Sequence, residues 1–237
     1  MRSGWRILGL FAAIFAALLA LHAPLLRLPY FWDEAGYYVP AALDFSRHGW
    51  LIPRHTAPTG HTPLVMIYIG MAWRLFGFSR LVARAAMVLI AAAAVGTTFL
   101  LGRRVAGREA GAWAAALLAL SPLFFAQSSL VFLDLAAALL TTLALLFILE
   151  DHWILFALAA SVAVMTKETA VVLLPVIWCF LRFARREKRA LVWTAAVAPL
   201  APLAAWAAYY HHATGFWTGN AQYLQYNLYS ALAPLHI

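Results

Sequence analysis

Long apolar runs without a single Asp, Glu, Lys or Arg, separated by short basic clusters, constrain this chain more than any other feature. Ile7 to Leu26 is one such run, Ala110 to Leu133 a second and Leu135 to Leu149 a third. A helix needs about 20 such residues to cross a bilayer, and lipid is the solvent in which runs of this kind are stable. Of the 237 residues, 65% are hydrophobic and 11% charged, whereas a soluble domain has about 45–50% and 25%. The formal charge of +8 does not imply nucleic acid. The cations sit in short loops between apolar runs, the arrangement of cytoplasmic loops facing anionic headgroups, and no basic face is left over. Cys179 is the single cysteine, which excludes an internal disulfide or a cysteine-based zinc site. It lies within an apolar run and is expected to pack inertly.

The spans are expected at 5–26, 81–102, 110–127, 130–149, 152–167, 168–184 and 190–210, with 63–78 ambiguous. The first reads as a retained anchor, since the apolar core of a cleaved signal is shorter, about 7–15 residues. The basic clusters Arg182–Arg189 and Gly102–Arg108 belong inside, as does the N-terminus with Arg2 and Arg6. All three fall inside only if 81–102 crosses and 63–78 does not. The segment 63–78 begins at Pro63 and carries Arg74, and a helix lying at the outer interface suits it. The expected fold is therefore an all-α integral membrane protein with about seven transmembrane helices. Its first outer loop, 28–80, holds juxtamembrane helices, one of them around Val39 to Arg47, and Ala213 to Ile237 lies outside. The chain reads as a single membrane-embedded module over 1–237, with no soluble domain and no internal repeat.

This topology sends Asp33, Glu34, His61, Asp134, Lys167, Glu168, His211 and His212 to outer loops or the outer ends of spans. Together they suggest one polar site. Asp33-Glu34 reads either as two solvated loop carboxylates or as a general base. Transfer of a sugar from a phosphate leaving group to a hydroxyl needs such a base. Asp134 interrupts an apolar run, where a carboxylate costs a few kcal/mol unless it faces a cavity or a partner; it either caps a helix or serves the site. Lys167-Glu168 divides a run too long for one crossing and too short for two full ones, so two short helices should meet at a recessed turn there. Lys167 can bind a phosphate as a point charge or pair with Glu168 or Asp134. His61 can bind a metal, donate to phosphate or cap its loop. His211 and His212 fit interfacial anchoring. No His/Asp/Glu spacing matches a known metal motif, so no metal ligand is assigned, although a divalent ion stays open as a cofactor.

Taken in order, Trp32-Asp33-Glu34-Ala35-Gly36-Tyr37-Tyr38, Gly49-Trp50-Leu51-Ile52-Pro53, His61-Thr62-Pro63-Leu64, Phe76-Gly77-Phe78-Ser79 with Arg84, Ser121-Pro122-Leu123-Phe124, Asp134 and Thr166-Lys167-Glu168-Thr169 resemble the N-terminal half of a known family. It is that of the dolichyl-phosphate-mannose protein mannosyltransferases and their bacterial relatives, including the aminoarabinose transferases of lipid A, all of GT-C type. The resemblance implies a glycosyltransferase that moves a sugar from a polyprenyl-phosphate donor to a protein or lipid acceptor, inverting the anomeric centre. It implies a bacterial inner membrane with the site facing the periplasm, and membrane lipids as surroundings. By position it assigns catalysis to Asp33 and Glu34, with Asp134 at the second acidic position of the site and Lys167 and Glu168 at a Lys-containing turn. Beyond the resemblance, His61, outer-face Arg54 and Tyr37 are further candidates for donor or substrate contacts. The sequence departs from the family pattern at Gln127-Ser128-Ser129, where an Arg is common, and at His61-Thr62-Pro63, where the family has two prolines in succession. Family members are much longer, so the C-terminal half is expected to be absent from this chain. The competing readings are a non-catalytic module that binds polyprenyl phosphate or a partner subunit, and a transporter with an intramembrane acid–base relay. The lack of an inverted repeat disfavours the transporter.

Overall fold

The computed structural model describes residues 2–225, with side chains from 8 onward except 223. Among these residues helices are the regular secondary structure, joined by turns and loops such as 49–63, and there is no strand. Helix α1 spans Arg2–Leu21, α2 Val39–His48, α3 Leu64–Phe76, α4 Arg80–Leu120, α5 Pro122–Gln127, α6 Leu133–Leu149, α7 Trp153–Thr166, α8 Leu173–Cys179, α9 Ala190–Val197, α10 Leu200–Thr214 and α11 Ala221–Leu224. The last part of the outer segment Ala213 to Ile237, from 226 onward, lies outside the described residues.

Breaks in these helices follow from local chemistry. Helix α2 stops at Gly49, whose φ of 75° is the left-handed cap that glycine adopts without a Cβ penalty. Ser79 starts α4 by accepting a hydrogen bond from the Val82 amide at 3.1 Å. Helix α4 is two helices joined at a bend, with non-helical backbone at Ala106 and Gly107. There the chain folds back so tightly that a Cβ on Gly111 would lie 2.5 Å from the Phe99 carbonyl oxygen, and one on Gly102 would lie 2.8 Å from Gly111 Cα. The basic loop expected at 102–108 is thus a close helical hairpin. Its second arm ends at Ser121, before Pro122, which divides the apolar run expected as one span over 110–127.

By length and composition, two helical stretches are long and apolar enough to cross a membrane, Arg80–Leu120 and Ala190–Thr214. Leu8–Leu21, Leu64–Phe76, Leu133–Leu149 and Trp153–Thr166 are apolar but shorter. The breaks at Phe132, His152 and Lys167 bound Leu133–Leu149 and Trp153–Thr166. Many large apolar side chains, among them Leu117, Leu123, Phe183 and Leu191, point outward. Water solvates such a surface poorly, and hydrocarbon suits it.

Three buried clusters hold the helices together. One joins α2 and α3 to α4 through Val39, Ile69, Trp73 and Met87. The second packs α7 against α6, α8 and α9 around Phe156 and Leu181. The third packs α1 against α4 and α5 around Leu18, Ala91 and Phe124. Polar loops collect at the two ends. At one end Arg104 donates to the Leu149 carbonyl at 2.9 Å, and Asp151 pairs with Arg185 and, at 3.6 Å, Arg189. Glu187, on the same loop, is pulled down to about 2, first by the hydrogen bond from the Arg189 side chain. At the other end Asn220 donates to the Pro58 carbonyl at 3.0 Å, so the segment after α10 meets the first long loop. The basic clusters therefore share one end, and loop 28–62 shares the other with the segment after 213.

Gly111→Ala is expected to destabilise the protein by about 1–3 kcal/mol, because the added methyl meets backbone that cannot yield. Gly96→Ala, with open space around its Cβ, should be neutral or stabilising by up to about 1 kcal/mol. Thermal unfolding in detergent measures both, and equal midpoints for the two variants would contradict the close hairpin.

Candidate functional site

The site is organised around Glu34, which is wholly buried. Its Oε1 accepts from the Val131 amide at 2.7 Å, and its Oε2 accepts from the Phe31 amide at 3.2 Å and from Arg84 Nη2 at 3.3 Å. Arg84, itself buried on α4, also donates to the carbonyls of Ser129 at 2.9 Å and Pro29 at 3.0 Å. Its Nε has no partner among the described residues. A buried ion pair of this kind is tolerable when most remaining polar atoms are satisfied. The pair ties the loop before α2 to the loop before α6. It also holds Trp32 in a left-handed backbone conformation, φ 53°, which costs a bulky residue about 1–3 kcal/mol. Asp33, on the next residue, is half-buried and has no hydrogen-bond or ion-pair partner among the described residues.

Asp134 lies in the first turn of α6, three residues beyond Val131. The N-cap of α6 is Phe132, which offers no side-chain cap, and Asp134 Oδ1 meets Lys167 Nζ at 2.5 Å. Lys167 ends α7 with extended backbone, and a 3₁₀ turn over Glu168–Val172 follows, so the two helices meet at the recessed turn that the sequence predicts. The next carboxylate, Glu168, accepts from His61 Nδ1 at 2.9 and 3.1 Å. The Tyr38 ring stands 6.3 Å from that of His61 and 5.9 Å from that of Phe132. The contacts thus close a circuit from the Asp33 segment through Val131, Asp134, Lys167, Glu168, His61 and Tyr38.

Beneath this circuit an apolar groove of about 580 Å³ runs between α3, α4 and α6, lined by Tyr68, Met71, Leu89, Leu139 and Thr166 among others. Thr166 adjoins Lys167, and the lining residue Ala136 follows Asp134 by two positions. The polar cluster therefore sits at one end of a greasy trough. The Lys167–Asp134 pair is not a strong fastener, because the Asp134 side chain is 63% exposed and such pairs contribute about 0–1 kcal/mol. An anionic ligand can displace the carboxylate from Lys167 at little cost.

Of the remaining sequence candidates, Tyr37 is exposed and lines a small pocket with His61, Trp206 and Tyr210. Arg54 lies farther along the loop, its guanidinium 4.5 Å from the centre of the Trp50 ring, and no contact joins it to Lys167. His211 stacks on Trp217 at 4.1 Å, and its Nδ1 has no partner among the described residues. Cys179, within its apolar run, is exposed at the surface of the described residues. The role of Arg84 escaped sequence reasoning. The available signal was an isolated cation in the apolar run 81–102, but its partner Glu34 lies 50 residues earlier.

The sequence model for dolichyl-phosphate-mannose-protein mannosyltransferases matches residues 60–209, which take in His61, Asp134, Lys167 and Glu168. No curated protein matches the chain. Two solved structures share its fold. The structure of ArnT from Cupriavidus metallidurans bound to undecaprenyl phosphate superimposes with a TM-score of 0.69 at 20% identity, covering 92% of this chain and 43% of ArnT. The apo state of the same protein gives 0.67 at 23% identity, covering 90% and 43%. The chain thus spans less than half the length of these neighbours.

Arg84→Leu removes the partner of a fully buried carboxylate and is expected to cost about 3–5 kcal/mol. The double substitution Glu34→Leu with Arg84→Leu should recover part of that loss, because no uncompensated charge remains. Chemical denaturation of the purified variants reads both. A loss below about 1 kcal/mol for the single substitution would show that the pair does not hold the loops.

Proposed function

This chain belongs to the dolichyl-phosphate-mannose-protein mannosyltransferase family, and on that premise we propose that it transfers a sugar from a polyprenyl phosphate to an acceptor hydroxyl. In this reading it forms one module over 1–237 that crosses the bacterial inner membrane about seven times, with 28–80 as its first periplasmic loop. The isoprenoid chain of the donor lies in the apolar groove, and its phosphate reaches Lys167, displacing Asp134. Undecaprenyl phosphate bound to the structural neighbour ArnT supports a ligand of this class.

Asp33 takes the proton from the acceptor hydroxyl. The acceptor oxygen bonds to the anomeric carbon from the face opposite the phosphate, the bond from that carbon to the phosphate oxygen breaks, and configuration inverts. Lys167 stabilises the charge that builds on the departing lipid phosphate, an effect commonly worth a few kcal/mol per well-placed donor. Glu34 positions Asp33 through the Val131 and Arg84 contacts. Asp134, released from Lys167, orients the reacting groups. Glu168 holds His61 at the rim, while Tyr37 and Arg54 face the headgroup from the loop above. The observation that carries this reading is the partly exposed Lys167–Asp134 pair beside the apolar groove, with the Glu34–Val131 hydrogen bond tying the Asp33 segment to the start of α6.

Asp33→Asn should lower turnover of a polyprenyl-phosphate sugar by about 10²–10⁴-fold, the usual contribution of a general base, with lipid binding unchanged. Lys167→Ala should weaken both binding and turnover. Near-normal transfer by a correctly inserted Asp33→Asn protein would defeat the assignment. Wild-type protein that binds the lipid but never turns it over would replace the transferase with a lipid-binding module.

A further inference from the structure

The first long loop carries a second cluster that the transfer reaction does not use. Asp44 and His48 lie four residues apart on α2, and this spacing places their side chains on one helix face. Gly49 then ends the helix, and the loop turns back so that the amides of Arg54 and His55 donate to Asp44 Oδ2 at 2.7 and 3.0 Å. That return brings the His55 ring to the other carboxylate oxygen, with Nδ1 2.6 Å from Oδ1. The ligand atoms of Asp44, His48 and His55 all lie within 4.8 Å of one another.

The Asp44–His55 pair by itself accounts for the loop's shape but not for His48. The His48 imidazole makes no hydrogen bond to the described residues. It is stacked on Trp50 at 4.2 Å, and the Trp50 ring also lies 5.6 Å from that of His55. Trp50 therefore holds two imidazoles beside a carboxylate that is buried and fixed by two amides. Two histidines and one carboxylate are the donors that borderline divalent ions such as Zn²⁺ take. One negative charge and two neutral rings favour a dication, while the nearby Arg54 guanidinium opposes it.

We propose that Asp44, His48 and His55 form a divalent transition-metal site of zinc type, with water as the fourth ligand. Metal–ligand bonds of about 2.0–2.1 Å require ligand atoms about 3.3 Å apart. A small rotation of the exposed His55 ring opens its 2.6 Å contact with Asp44 to that spacing. The metal replaces the proton shared by Asp44 and His55. Bound there, it pins α2 to the loop that continues to His61, and it does so whether or not the chain transfers sugar.

The test is a titration of chelator-stripped full-length protein in detergent with Co²⁺ alone, read by visible absorption and followed by displacement with Zn²⁺. A single tetrahedral Co²⁺ signal that Zn²⁺ displaces is expected. His48→Ala should weaken binding by at least about tenfold, as the loss of even an outer-shell partner does, without moving the thermal midpoint of the metal-free protein. His212→Ala should bind like wild type. Absence of the signal in wild-type protein, or an unchanged titration in His48→Ala, would overturn the proposal.

Discussion

The buried contact between Glu34 and Arg84 is the constraint on which the polar end of this molecule depends. A carboxylate and a guanidinium removed from water are stable only when other groups satisfy their remaining atoms. Here those groups are the Phe31 and Val131 amides and the carbonyls of Pro29 and Ser129. The pair therefore cannot form without bringing the loop before α2, the start of α4 and the loop before α6 to one place. Asp33 inherits its position from that knot, and so does Asp134, because α6 begins immediately after the segment that Glu34 grips.

A division of labour between the acidic residues follows. Glu34 is saturated with donors and enclosed, which suits holding and leaves no room for an acceptor. Asp33 is half-buried and has no hydrogen-bond or ion-pair partner among the described residues. Asp134 and Lys167 hold each other in a partly solvated pair whose net worth is small, a property that suits exchange with an incoming phosphate. Lys167 ends α7 at the break in the helix, so its backbone position is fixed while its ammonium can change partners. In the proposed reaction, strength is needed where the loops are tied and weakness where substrate must enter.

Much of this was legible in the residues. The basic clusters placed the 102–108 bend and the 182–189 loop at the same end, where Arg104, Asp151 and Arg185 now meet. The helix expected near Val39 to Arg47 is α2, ended by Gly49. The turn at Thr166-Lys167-Glu168 could be read because an apolar run of awkward length has to break where its charges lie. What was not legible is non-local. Nothing around Arg84 announces a partner 50 residues away, and the Asp44, His48 and His55 cluster matches no familiar spacing because the return of the loop, rather than the helix, completes it. Ser121-Pro122 divided an expected span because a capping serine and a proline outweigh continuous hydrophobicity.

The central claim, that one wet cleft above the groove receives a lipid phosphate, is most directly tested by a structure of the full chain in lipid nanodiscs with polyprenyl phosphate. The account predicts phosphate density within hydrogen-bonding distance of Lys167 Nζ, the contact to Asp134 broken, and isoprenoid density along Tyr68 and Leu89. Phosphate density at the Arg103–Arg108 bend, with Lys167 still bound to Asp134, would contradict it.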